Sequence, residues 1–101
     1  MDDRNFTKYF KAIGDGSRLR ILVLLSSKEM TVNEIAKAVG LSQPTVSRHL
    51  GILRDTDIVI DRREGQQVFY SLNKKSVEDC CSGFCCRLDI SEEKPKKTKK
   101  K

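Results

Sequence analysis

The 101-residue sequence holds one histidine, His49, and no apolar run longer than Ile21–Leu25. Each shortage excludes a class of protein. Five residues fall far short of the roughly 20 that a helix needs to cross a bilayer, and they are too few for a signal-peptide core. With the charged opening MDDRNF, this leads us to expect a cytoplasmic protein without a membrane partner. Glycine-rich phosphate loops, paired carboxylates in a plausible cleft and a histidine beside the cysteines are all missing, so neither an enzyme nor an organic cofactor is expected.

Positive charge is also scarcer than the net charge of +6 suggests. Lys94, Lys96, Lys97, Lys99, Lys100 and Lys101 supply six of the 20 Lys and Arg, and the others match the 14 acidic residues. The body is therefore neutral overall, and any basic face on it must come from arrangement. With 38% apolar and 34% charged residues, the chain fits one small domain that gains from dimerisation. We place that domain at residues 1–90, followed by a disordered Lys-rich tail at 91–101 that adds phosphate attraction at most.

What is present is helical punctuation. Phe6, Tyr9, Phe10 and Ile13 recur at helical spacing and stop at Gly14-Asp15-Gly16, predicting a first helix with an aromatic stripe for the core or a dimer contact. Asp15 or Ser17 can cap a second helix, whose Leu19, Leu22 and Leu25 form a buried stripe widened by Ile21 and Leu24. Arg18 and Arg20 fall on its polar side, solvated or salt-bridged, with phosphate contact the alternative. Ser26 to Glu29 reads as a loop. Thr31-Val-Asn-Glu34 is a capping box opening a short third helix that buries Ile35 and Val39 and ends at Gly40.

The stretch Leu41 to Leu53, LSQPTVSRHLGIL, predicts a fourth helix. Ser42 is its N-cap and Pro44 is tolerated in its first turn. Val46, Leu50 and Leu53 form its inner stripe, leaving Thr45, Arg48 and Ile52 outside. Two short helices across a glycine turn read as a helix-turn-helix that offers its second helix to a DNA major groove. Farther on, Ile58–Arg63 and Gln66–Leu72 flank Glu64-Gly65 as a hairpin, with Arg62 and Arg63 at its tip for phosphates or a minor groove. The expected fold is mainly α with a β-hairpin, a winged helix-turn-helix.

The run from Asp15-Gly-Ser-Arg-Leu-Arg-Ile-Leu through Leu41-Ser-Gln-Pro-Thr-Val-Ser-Arg-His-Leu to the hairpin resembles the ArsR/SmtB family of winged-helix repressors. The resemblance implies a homodimer paired through its first and last helices and bound to an inverted-repeat operator in double-stranded DNA. An inducer would release it. Ser42, Gln43, Thr45, Ser47, Arg48 and His49 then become the DNA-reading positions. Their chemistry agrees, since Arg pairs with guanine, Gln with adenine, and Ser or Thr with bases or phosphates.

Two inducer sites of that family have no counterpart here. Thr31-Val-Asn-Glu34 stands where the resemblance places a cysteine pair, and the last helix has no histidine for a zinc site. What remains is Cys80, Cys81, Cys85 and Cys86, all four cysteines within seven residues. A stripe of Val77, Cys81, Phe84 and Leu88 would make Cys81 a buried small hydrophobe, but would leave the other three unexplained. Cys81 and Cys85 lie one turn apart, and a bend at Gly83 would let Cys80 or Cys86 supply a third sulfur. Three thiolates suit As(III) or Sb(III), and four suit Zn(II) or Cd(II). The resemblance, which includes arsenical sensors with C-terminal cysteine pairs, favours the trivalent ions. The alternatives are a thiol-redox or persulfide-sensing repressor, a Cd(II) or Zn(II) sensor, and an architectural DNA-binding protein with structural zinc.

Overall fold

Local capping fixes where helices begin, and the computed structural model, which describes residues 3–89, shows the Asp15, Thr31 and Ser42 caps engaged. The elements run α1 (Asp3–Ile13), α2 (Gly16–Leu25), β1 (Met30–Thr31), α3 (Val32–Val39), α4 (Gln43–Asp55), β2 (Val59–Glu64), β3 (Gln67–Leu72) and α5 (Lys74–Arg87). Asp15 accepts from the Arg18 backbone N–H, and Thr31 and Glu34 close the capping box reciprocally. Gly40 ends α3 in the left-handed region at φ 74°, where a side chain would be strained. The Lys-rich tail lies outside the described residues.

Val46, Leu50 and Leu53 of α4 are fully buried against Ile21, Ile35, Ile58 and the rest of one continuous core. That core holds the outer face of α4 in place. The stripe expected on α2 is corrected by the packing: Ile21 and Leu25 are the buried residues, while Leu19 and Val23 are 47% and 69% exposed. The segment Leu19 to Leu25 is apolar almost all round, so its neighbours and not its periodicity decide which side faces in. Arg18 and Arg20 have structural work. Arg18 donates to the Ala12 carbonyl at the end of α1 (3.3 Å) and pairs with Asp15, and Arg20 donates to the Val39 carbonyl at the end of α3 (3.0 Å). Each places a cation where a helix leaves carbonyls without partners.

The sheet has the order β1-β3-β2, all antiparallel, with Met30 opposite Tyr70 and Glu64 opposite Gln67. Two features differ from expectation. The loop before α3 ends in a two-residue strand, and the hairpin turn is Gly65-Gln66 rather than Glu64-Gly65, with Gly65 at φ 62°. The extra strand ties the wing to the start of the helix-turn-helix.

The last helix is unbroken from Lys74 to Arg87, so the bend expected at Gly83 does not occur. Gly83 instead faces α1, where a Cβ would meet the Phe6 ring at 3.4 Å, an ordinary contact distance. Gly83→Ala should therefore gain helix propensity without overpacking, stabilising the fold by about 0.5–1 kcal/mol. A thermal melt that shifts upward by a few degrees is the expected result, and a lower midpoint would show that the two helices cannot accept the methyl group.

Candidate nucleic-acid interface and thiol cluster

The start of α4 carries the residues that sequence analysis nominates, and the structure divides them. Ser42 is occupied as a cap: its hydroxyl accepts from the Thr45 backbone N–H (3.3 Å) and donates to Thr45 Oγ1 (2.9 Å). Gln43 donates from Nε2 to Asn33 Oδ1 across the turn (2.9 Å). Ser47 and Arg48 are exposed. Neither side chain makes a hydrogen bond or ion pair with the described residues. His49 is half-buried, with Nδ1 enclosed and unpartnered among the described residues, and it faces the start of α2. The Arg18 backbone N–H holds the Asp15 carboxylate below its ordinary range, and His49 adds a small effect in the same direction. The most available polar tips on this face are therefore Ser47 and Arg48, beside the remaining donor and acceptor of Gln43.

The two wing arginines also part company. Alternate residues of a strand point to opposite faces, and Arg62 turns toward the protein. Its guanidinium donates to Glu29 in the loop before β1 and to Glu64 (3.2 Å), and it lies over the Phe69 ring at 4.9 Å. Glu29 first and Glu64 second raise its pKa further above an already high value. Arg62 thus ties the wing to the loop while its side chain stays half exposed. Arg63, on the opposite face, is exposed and makes no ion pair among the described residues. Arg54 and Asp61, 3.4 Å apart, tie the wing to α4 as well. Glu29 and Asn33 were not singled out from sequence, because their partners stand 33 and ten residues away.

The four cysteines of α5 are free thiols in unequal settings. Cys80 is fully buried, and burial first and Cys81 second push its pKa up, so it stays a neutral thiol. Tyr9, also buried, is pushed up to about 12 by desolvation first and then by the neighbouring Cys80 and Cys81 thiols. The small hydrophobe of the helix is thus Cys80 rather than Cys81, which corrects the stripe drawn from sequence by one position. Cys81 is exposed and Cys85 half-buried, one turn apart on one face, while exposed Cys86 lies about 100° farther round. Among the described residues no three His, Cys, Asp or Glu side chains converge as a metal site. Cys81 and Cys85 are thus the two thiols that share one face of α5.

Near these thiols Phe84 packs edge-on against Phe10 and Phe6, with ring centroids 4.8 and 5.8 Å apart. Phe6, Phe10, Phe84 and Leu88 border an open groove between α1 and α5 of about 970 Å³. No helix among the described residues is long and apolar enough to cross a membrane.

Comparison with known proteins places this geometry among regulators. Residues 15–61 match the family described as bacterial regulatory protein, arsR family. The transcriptional repressor SdpR of Bacillus subtilis is 43% identical over 70 residues, covering 69% of this chain and 78% of SdpR. Arsenic resistance transcriptional regulator ArsR1 of Pseudomonas putida is 45% identical over 65 residues, 63% of this chain; the match spans only about half, 51%, of that relative's length. Among solved structures, the homodimeric winged helix-turn-helix DNA-binding domain Mb0332 of Mycobacterium bovis superposes with a TM-score of 0.70 at 27% identity, over 97% of both chains.

Proposed function

This chain belongs to the arsR family of bacterial regulatory proteins, a family of transcriptional regulators rather than enzymes, and from that premise we propose that it is a repressor released from its operator by a thiophilic ion. The observation that carries the DNA-binding half is the outer face of α4, where Ser47 and Arg48 stand uncommitted above a fully buried inner stripe. The working form is a homodimer paired through α1 and α5, which border the open groove lined by Phe6, Phe10, Phe84 and Leu88. Its reading helices face an inverted repeat with half-sites about 34–36 Å apart. The likeness to a homodimeric domain supports this arrangement.

The inducer reading rests on Cys81 and Cys85. Two thiols on one helical face suit a soft trivalent ion of the As(III) or Sb(III) type, and likeness to an arsenic resistance regulator favours that class over Cd(II) or Zn(II). A third ligand would have to come from Cys86 or from a second copy. A thiol-redox switch is the competing reading, favoured by the same solvent-accessible pair. The test is direct. Duplexes selected by the protein from a randomised library are titrated with reduced protein in the presence of arsenite, antimonite, cadmium or zinc. Release by arsenite or antimonite under strict reduction supports the proposal; release only by oxidants favours the redox switch, and release by none of these removes the ion sensor.

Arg48 provides a second measurement. Arg48→Ala should weaken binding to the selected duplex by about 1–3 kcal/mol and relax preference at one base position, as loss of a guanine contact does. Arg63→Ala should weaken all sequences equally and lower the salt slope by about one. Uniform weakening by Arg48→Ala would move that side chain from base to phosphate.

A further inference from the structure

Asn33 lies outside the reading helix, yet its side chain holds one of the helix's reading residues. It stands at the second position of α3, and Gln43 opens α4, so the two helices of the unit bring their N-terminal ends together. Thr31 and Glu34 are occupied by their own capping box, which leaves Asn33 as the side chain from this turn that reaches α4. Both amides are exposed, and an exposed hydrogen bond competes with water, so the 2.9 Å contact adds little to folding. Its consequence is orientation.

A glutamine amide carries two N–H donors and one carbonyl acceptor. With one N–H given to Asn33 Oδ1, Gln43 keeps a second N–H and the whole of Oε1. That donor and acceptor side by side are what adenine N7 and N6 require in the major groove. Without Asn33, the amide is free to rotate, and the side chain must lose its rotamer freedom when DNA binds.

Resting on the DNA-reading proposal above, we propose that Asn33 is a positioning residue that makes Gln43 an adenine reader, and so sets base preference from outside the recognition helix. Asn33→Asp keeps an acceptor for Gln43 Nε2 but adds a negative charge near phosphates. Asn33→Ala removes the acceptor.

The test selects duplexes from a randomised library with the full chain, then compares wild type, Asn33→Ala, Asn33→Asp and Gln43→Ala on the selected sequence and its single-base variants. Thermal melts confirm that all four are equally folded. Gln43→Ala is expected to lose adenine preference at one position of each half-site. Asn33→Ala should lose about three- to tenfold of the same preference, the size of one hydrogen bond. Asn33→Asp should keep the preference while binding every duplex more weakly. A merely structural Asn33, or one that only touches phosphate, would not show this split. If Gln43→Ala loses the preference and Asn33→Ala retains it, or if Asn33→Asp loses it too, the inference is overturned with DNA reading intact. If Gln43→Ala changes no preference, the assignment of Gln43 falls and the inference with it. If the wild type enriches no sequence, the DNA-reading proposal itself fails.

Discussion

Replacing Cys81 or Cys85 by alanine is expected to remove arsenite-driven release of DNA while leaving the thermal melt in place, and Cys80→Ala to leave the response intact. Sequence alone treats the four cysteines as one cluster, but the helix sorts them. Cys80 sits at zero exposure and its pKa is raised, so both access and thiolate character are against it as a ligand. Cys81 and Cys85 share a face and reach solvent. Loss of a direct ligand should raise the arsenite concentration for half-release by well over tenfold, since even outer-shell partners of metal sites are worth about 10–100-fold. Cys80→Ser gives the complementary result, a loss of roughly 1–3 kcal/mol in stability from a buried hydroxyl. The helix offers that hydroxyl the Ser76 carbonyl four residues back, which keeps the loss toward the lower end. Release curves and melts on the same four variants read both effects. A Cys80→Ala protein that melts normally but no longer responds would overturn the division.

Why the sequence reveals some of this and hides the rest follows from the range of each interaction. Asp15, Thr31 with Glu34, and Ser42 act on backbone three residues away, and all three caps are legible in a short window. The inner stripe Val46, Leu50 and Leu53 is legible for the same reason: polar residues on the other side of α4 leave only one apolar face. On α2 that contrast is missing, and the spacing puts Leu19 inside whereas the packing leaves it outside. On α5 the phase is set by contacts with α1, chiefly Phe84 against Phe6 and Phe10, so the inward thiol is displaced by one position. Strand β1 has only two residues and exists through its pairing with β3. Arg62 resembles Arg63 in sequence and differs from it through Glu29, Glu64 and Phe69, two of which lie outside its immediate neighbourhood in the chain. The nominated reading positions thus needed the structure to separate occupied side chains from free ones.

Leu50→Ala is expected to have the largest effect on folding, and Leu19→Ala one of the smallest, though both leucines occupy helical stripes in the sequence. Leu50 is fully buried in the middle of α4, with Val46 and Leu53 beside it and Ile21, Ile35 and Ile58 in the same core. Truncation there removes apolar burial and leaves a cavity that a close-packed interior relaxes into only partly, at about 2–5 kcal/mol. A domain of this size has roughly 5–15 kcal/mol in total, so the variant should melt about 10–30 °C lower. Leu19, nearly half exposed, should change stability by about 0.5 kcal/mol or less. The loss in Leu50→Ala reaches function through population, because Ser47 and Arg48 are presented only while α4 is seated. At temperatures where the variant is still folded, its base preference should match wild type, and near its midpoint binding should fall for all duplexes together. Saturating DNA should in turn raise the midpoint, since a ligand that binds only the folded state stabilises it by mass action. A changed base preference in the fully folded variant would mean that the inner stripe does more than seat the helix, and an unchanged melt would place Leu50 outside the core.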